Sequence, residues 1–305
     1  MHPNPTQLAA IQSNANRKET KTMKPNRNSI QAALAAFAML TLLGAIPSHG
    51  ALIGHWKLDE TSGATAVDSS ANGNDATVNN GSIAGVTGVD GNAYDSSGGQ
   101  WLSVGDVSTF DTTFDEFSVS VWAKPSSLDP GVTHFAGKLG DAGDRGWILR
   151  YRDKDDDNNY ELDWVASDDA SGSNWADQSY ELSGTLSTSE FTHIVAVFKN
   201  DPDGSGDDGF SKIYINGTAV ATLDHSLTQL NGNNNVNLEL GNRGDSLDDS
   251  DWIGALDDIQ IYDSALTSSE VTFLYNNAGT VIPEPASLLL LALGGLALFR
   301  RPRRR

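Results

Sequence analysis

The chain has 305 residues, 38% of them hydrophobic, with 30 Gly, 10 Pro and no Cys, which excludes a disordered or collagen-like chain. The absence of cysteine excludes a disulfide framework, a thiolate zinc site and a thiol nucleophile. A formal net charge of −20 argues against a nucleic-acid partner and favours cations.

Near the start, Arg17, Lys18, Lys21, Lys24 and Arg27 precede an uncharged run from Ile30 to Ile46, and Pro47-Ser48-His49-Gly50 follows it. A basic stretch, an apolar stretch and a small-residue site in that order predict a cleavable signal peptide over residues 1–50, with Met23 as an alternative start. An exported domain that has no disulfides must draw its stability from core size or from bound ions. Calcium is the ion this points to.

Residues 51–280 fall within the size that an all-β sandwich reaches as one domain. Phe117, Val119 and Val121 alternate with serines, and Trp147, Leu149 and Tyr151 likewise fall on one face at period two, the pattern of half-buried antiparallel strands. Residues 191–198 (FTHIVAVF) form a more continuous apolar run, expected as a deeper strand. Between Lys212 and Ala221, two β-rich runs flank Asn216-Gly217, which supplies the positive φ angles of a type I′ hairpin. Helix is scarce. Thr267-Ser268-Ser269-Glu270 has the capping-box pattern, and Val271, Leu274 and Tyr275 follow at helical spacing. The Asp-, Asn- and Gly-rich intervals 153–159, 168–177, 200–208, 231–237 and 245–251 are expected as loops, and 277–285 as a linker.

After that linker, Pro283-Glu284-Pro285 leads into the apolar residues 286–299 and then Arg300, Arg301, Arg303, Arg304 and Arg305. The apolar part is short against the ~20 helical residues that span a bilayer, and the terminal arginines favour a cytoplasmic end. This tail resembles the PEP-CTERM sorting signal of diderm bacteria. The resemblance implies a short transmembrane helix over 286–305, handling by an exosortase-type processing enzyme, and residence in the cell envelope or extracellular matrix, membrane-anchored at least transiently. With both ends removed, Lys plus Arg falls from 20 to 10 and Asp plus Glu from 40 to 38, so the domain between them carries −28.

Residues 55–63 (HWKLDETSG) and 67–75 (VDSSANGND) resemble the opening of laminin-G-like, concanavalin A-like jelly-roll domains. So, in order, do the strand from Phe117, Thr192-His193-Ile194-Val195-Ala196, residues 212–217 and the closing residues 253–262 (IGALDDIQIY). The resemblance covers nearly all of 51–276 and implies an all-β jelly-roll sandwich. That fold hosts lectins, adhesion modules, hydrolases and lyases alike, so function must come from the site.

Three chemistries are open. Alternation groups Asp257 with Ala255, Ile259 and Ile261 on a core-facing side, where a carboxylate is costly unless paired or metal-bound. The loop from Asp68 to Asp75 offers the hard oxygen ligands that calcium takes, and the resemblance implies that the first and last strands are neighbours. A calcium held by Asp68, Asn72, Asn74 and Asp257 is therefore expected; an Asx-rich turn beside a solvated or hydrogen-bonded strand carboxylate is the alternative. A weaker cation candidate is the loop containing Asp201, Asp203 and Asp207. Counted as an EF-hand, it has Lys212 in place of the final Glu.

Glu161-Leu162-Asp163-Trp164 is similar to the catalytic strand of retaining laminarinase-like hydrolases, but Val165 and Ala166 stand where the second carboxylate is required. The expectation is a non-catalytic module, with a glycoside hydrolase as the alternative. Sugar binding would use Tyr160, Trp164 and Trp175, which lie among Asp and Asn residues. Tyr160, Leu162 and Trp164 share a strand face and fit a core equally well. The functional expectation is an exported binding or adhesive module for polysaccharide or matrix, with a purely structural matrix protein as a further alternative.

Overall fold

A computed structural model describes residues 50–127, 132–141, 143–153, 159–182, 185–243 and 251–283. The expected signal helix and the membrane tail, with Glu284 and Pro285, lie outside the described residues. Among those described, no helix is long and apolar enough to cross a membrane.

Among the described residues, the strands form two eight-stranded sheets. The first runs β15 (Thr218–His225), β14 (Gly209–Ile215), β13 (Thr192–Lys199), β8 (Glu116–Pro125), β18 (Gly254–Tyr262), β5 (Asn92–Asp95) and β4 (Gly85–Thr87), with β1 (Leu52–Trp56) also paired to β18. The second runs β12 (Trp175–Glu181), β11 (Tyr160–Ser167), β10 (Trp147–Asp153), β9 (Thr133–Lys138), β17 (Leu238–Leu240), β6 (Trp101–Gly105), β3 (Ala76–Asn79) and β2 (Thr65–Ala66). A short pair, β7 (Thr113–Phe114) and β16 (Leu230–Asn231), stands apart. Consecutive strands such as β10, β11 and β12 pair antiparallel, whereas β8 joins β13 and β18 from far along the chain. This is the expected jelly-roll sandwich.

Period-two alternation builds the core between the sheets. Phe117, Val119 and Val121 from the first sheet meet Trp147, Leu149, Tyr151, Leu162 and Trp164 from the second, all fully buried. Phe117 packs against both Trp147 and Trp164, with ring centroids 4.9 and 6.4 Å away. Burying aromatics of this size contributes a large share of the apolar stabilisation.

The hairpin from β14 to β15 turns at Asn216 (φ 49°) and Gly217 (φ 79°), as a type I′ turn requires. The expected helix, α1 (Ser268–Asn276), begins with a complete capping box between Thr267 and Glu270. Its Val271 and Leu274 pack with Val195, Val197, Tyr214 and Tyr262 on the outer face of the first sheet.

Two local expectations need correction. Strand β12 already begins at Trp175, so the loop expected over 168–177 ends at Asn174. Alternation along β18 breaks at a bulge between Asp257 and Gln260, where Asp258 takes φ 44°. A bulge inserts one extra residue and reverses the parity of the rest of the strand. Leu256, Ile259 and Ile261 therefore face the core, and Asp257 does not.

Candidate functional site

Of the expected calcium ligands, Asp68, Asn72 and Asn74 share one turn around Ser70. Asp68 sits at an isolated bridge to Trp56, and its carboxylate accepts from the His55 amide (3.0 Å), the Ser70 amide and hydroxyl (both 2.8 Å) and the Asn74 amide (2.9 Å). Burial works to raise its pKa, but these hydrogen bonds outweigh it and hold the carboxyl below its ordinary value. The side chains of Asn72 and Asn74 donate to backbone carbonyls of β1, at Leu52 and Ile53. Asp257 does not join them; its Oδ2 accepts from the Val89 amide at 2.7 Å. Burial pushes the Asp257 carboxyl up to about 7. Asp257 Oδ1 is buried without a hydrogen-bond partner, whereas both oxygens of Asp68 are hydrogen-bonded.

The first and last strands are neighbours, as the resemblance implies. Backbone pairing of β1 with β18 joins them, and His55 reaches Asp258 at 2.7 Å. Gln260 also donates to Asp258 (2.9 Å), as does the Gly279 amide (2.8 Å), while Gln260 reaches the Thr280 carbonyl (2.8 Å). Thus residues 279–280, in the segment expected as a linker, are held against β18.

The acidic loop between β13 and β14 does gather its carboxylates. Oxygens of Asp201, Asp203 and Asp207 lie within 4.8 Å of one another.

Of the three aromatic sugar-binding candidates, two are core residues. Trp164 is fully buried in contact with Phe117 and Trp147, and Tyr160 stacks on Tyr151 with centroids 5.0 Å apart. Both project inward from β11 with Leu162, so neither is open to a ligand. Trp175 is different: it is 52% exposed. It pairs with Ser167 at the start of β12, while the adjacent Ala176 points into the core.

The sheet face that carries Trp175 also carries charge. Asp163, fully buried, accepts from Arg150 Nε (3.0 Å), from Arg152 Nε and from Ser179 Oγ (2.6 Å). The same two guanidinium groups approach Asp177 at 3.9 and 3.7 Å. Arg145 lies 5.6 Å from the Trp175 ring centroid, within cation–π range. It passes so close to Gly172 that a Cβ there would meet its Cγ at 2.6 Å. The result is a half-exposed indole beside fixed guanidinium and carboxylate groups. Period two could have found Arg150, Arg152, Asp163, Asp177 and Ser179 as one outward stripe; Arg145, from a loop, gives no such signal. Asp163 is held by two arginines and Ser179, so the Glu161-Leu162-Asp163 strand carries an ion-pair cluster on its outward face.

Comparison with known proteins agrees with this architecture. Residues 96–272 match the concanavalin A-like lectin/glucanases superfamily, and residues 281–305 match the PEP-CTERM protein-sorting motif, a signal for export to the cell envelope. No curated protein matches. Among solved structures, domain 4 of AbnA, an extracellular GH43 arabinanase from Geobacillus stearothermophilus, in complex with arabinotriose, superposes with a TM-score of 0.53 at 24% identity. That match covers 74% of this chain and 99% of the other. The binding domain of Paraclostridial Mosquitocidal Protein 1 gives 0.53 at 17% identity, covering 74% and 52%. The botulinum neurotoxin serotype D binding domain gives 0.50 at 16% identity, covering 74% and 50%. At these identities the likeness is one of fold. The chain belongs to the concanavalin A-like lectin/glucanases superfamily and carries a PEP-CTERM sorting motif.

Proposed function

We propose that this chain is a non-catalytic glycan-binding module of the cell envelope, and that it presents the outward face of β10, β11 and β12 to a polysaccharide. The observation that carries this reading is Trp175, half-exposed on that face with Arg145 5.6 Å from its ring centroid and Asp177, bridged to Arg150 and Arg152, two residues along the strand. An aromatic face stacks on the apolar side of a pyranose or furanose ring, while neighbouring charged groups fix its hydroxyls. The arabinotriose complex of the arabinanase domain supports a saccharide ligand as a working hypothesis for this fold. The sorting motif supports handling by an exosortase-type enzyme and display at the surface or in the matrix of a diderm bacterium. The test is a panel of soluble polysaccharides, arabinan included, titrated into the full chain with reducing-sugar release measured in parallel. Saturable binding without sugar release supports the proposal. Sugar release would make the protein an enzyme, and no binding across the panel would make it structural.

A further inference from the structure

We infer that the loop between β13 and β14 is a calcium site, formed by Asp201, Asp203 and Asp207. This is independent of the glycan reading. The three carboxylates approach within 4.8 Å of one another, and like charges so close repel unless a cation or a proton lies between them. A cluster of exposed carboxylates alone would be ordinary on so acidic a domain. Asp201, however, is not exposed.

Asp201 has no solvent exposure, and its Oδ1 is buried without a hydrogen-bond partner. Its Oδ2 is taken by the Gly206 amide. Leaving a buried carboxylate oxygen unsatisfied is among the costlier things a fold does, and a bound cation removes that cost. The site is also held in shape from below. The Asp201 amide donates to the Leu227 carbonyl at 2.7 Å. The adjacent Asn200 side chain bonds Asp115 and the Thr228 carbonyl, both at 3.0 Å. Gly209 closes the base, since a Cβ there would lie 2.5 Å from the His225 carbonyl and 2.8 Å from Asp201 Cβ.

The donors select the ion. All are oxygens, and they come from a loop with two left-handed glycines, Gly204 (φ 69°) and Gly206 (φ 90°). Ser205 bonds both outer carboxylates, through its amide to Asp203 (3.0 Å) and its hydroxyl to Asp207. Calcium accepts six to eight oxygens in irregular geometry, with water or backbone carbonyls completing the set, whereas magnesium requires a near-ideal octahedron. Lys212 replaces the bidentate glutamate of an EF-hand. That places the expected dissociation constant in the range of extracellular modules, on the order of 10⁻⁴–10⁻³ M.

The experiment measures melting temperature and radioactive-calcium binding for the full chain, for D203N and D207N at the exposed positions, and for D201N. In about 10 mM calcium the wild type should melt on the order of 5 °C higher than in chelator, and about one bound ion should be lost in each variant. In chelator, D203N and D207N should melt at or above the wild-type temperature, because removing a carboxylate relieves the repulsion. In calcium the order should reverse. Equal calcium binding by the wild type and the two exposed-position variants overturns the assignment, as does a wild type whose melting temperature ignores calcium. An equal response to magnesium overturns the choice of ion. D203N and D207N alone decide the result if D201N fails to fold.

Discussion

His55 and Asp258 are 203 residues apart in sequence and 2.7 Å apart in space, both nearly inaccessible to solvent. They join the first strand of the sandwich to the last, which is where the sequence suggested a calcium ion. Burial works to raise the Asp258 pKa, but hydrogen bonds from His55, Gln260 and the Gly279 amide outweigh it and hold the carboxyl below its ordinary value. A depressed carboxyl contributes stability that is present above its unfolded pKa and is lost as pH falls through the folded one.

Replacing Asp258 by Ala leaves His55 and the Gly279 amide without their acceptor, and breaking a buried pair in this way costs about 3–5 kcal/mol. The expected outcome is a urea midpoint lowered accordingly at neutral pH. The gap between wild type and variant should begin to narrow below about pH 4, the unfolded value, and close as pH falls through the depressed folded value of Asp258. A gap that does not depend on pH would assign the loss to packing.

Asp257 behaves in the opposite sense. Burial pushes its carboxyl up to about 7, and its Oδ1 has no hydrogen-bond partner. A raised folded pKa means a contribution that is fully present below the unfolded value and is lost as pH rises through the folded one. D257N keeps an acceptor for the Val89 amide and removes the titration. The variant should therefore gain on the wild type by about 1.4 kcal/mol per pH unit between about pH 4 and pH 7, read from urea midpoints across that range. Parallel profiles for the two proteins would show that Asp257 ionises normally.

Lys138 has no solvent exposure, yet its ammonium reaches Asp106 Oδ1, Asn234 Oδ1 and the Val236 carbonyl, each at 2.8 Å. The Asn234 carbonyl also lies 3.2 Å away, and the end of β9 is thereby tied to the loops after β6 and before β17. K138A strands these acceptors and opens a cavity, for an expected loss of about 3–5 kcal/mol. K138M keeps most of the volume and should lose about 1–3 kcal/mol, from the unsatisfied carbonyls. Calorimetric melting of the two variants distinguishes charge from volume.

The features legible in the sequence were local. Asn216-Gly217, the Thr267 capping box and the alternation through Phe117 and Trp147 are short-range signals, and the geometry obeys them. The inward placement of Asp257 failed because one extra residue at Asp258 reverses the parity of the strand, and an Asp-Asp pair does not announce a bulge. Lys138 gave no signal at all, since its partners lie 32 to 98 positions away. The acidic loop at Asp201 was visible as a pattern, but the burial of its first carboxylate depends on Gly209 and Leu227, which only the folded chain brings beside it.

Trp164 and Trp175 lie eleven positions apart on adjacent strands, and alternation assigns them opposite fates. Trp164 faces the core and contacts Phe117 and Trp147, so W164A should cost about 3–5 kcal/mol of stability. Trp175 sits half in solvent with Arg145 nearby, so W175A should change stability by about 0.5 kcal/mol or less. If the face around Trp175 holds a saccharide, W175A should weaken binding by about tenfold or more, the loss of one central aromatic contact. D177N should weaken it less. Titration of a polysaccharide that binds the wild type, with thermal melts on the same samples, reads both quantities. A W175A variant that folds and binds normally would move the ligand off this sheet face, whereas one that folds and fails to bind fixes it there.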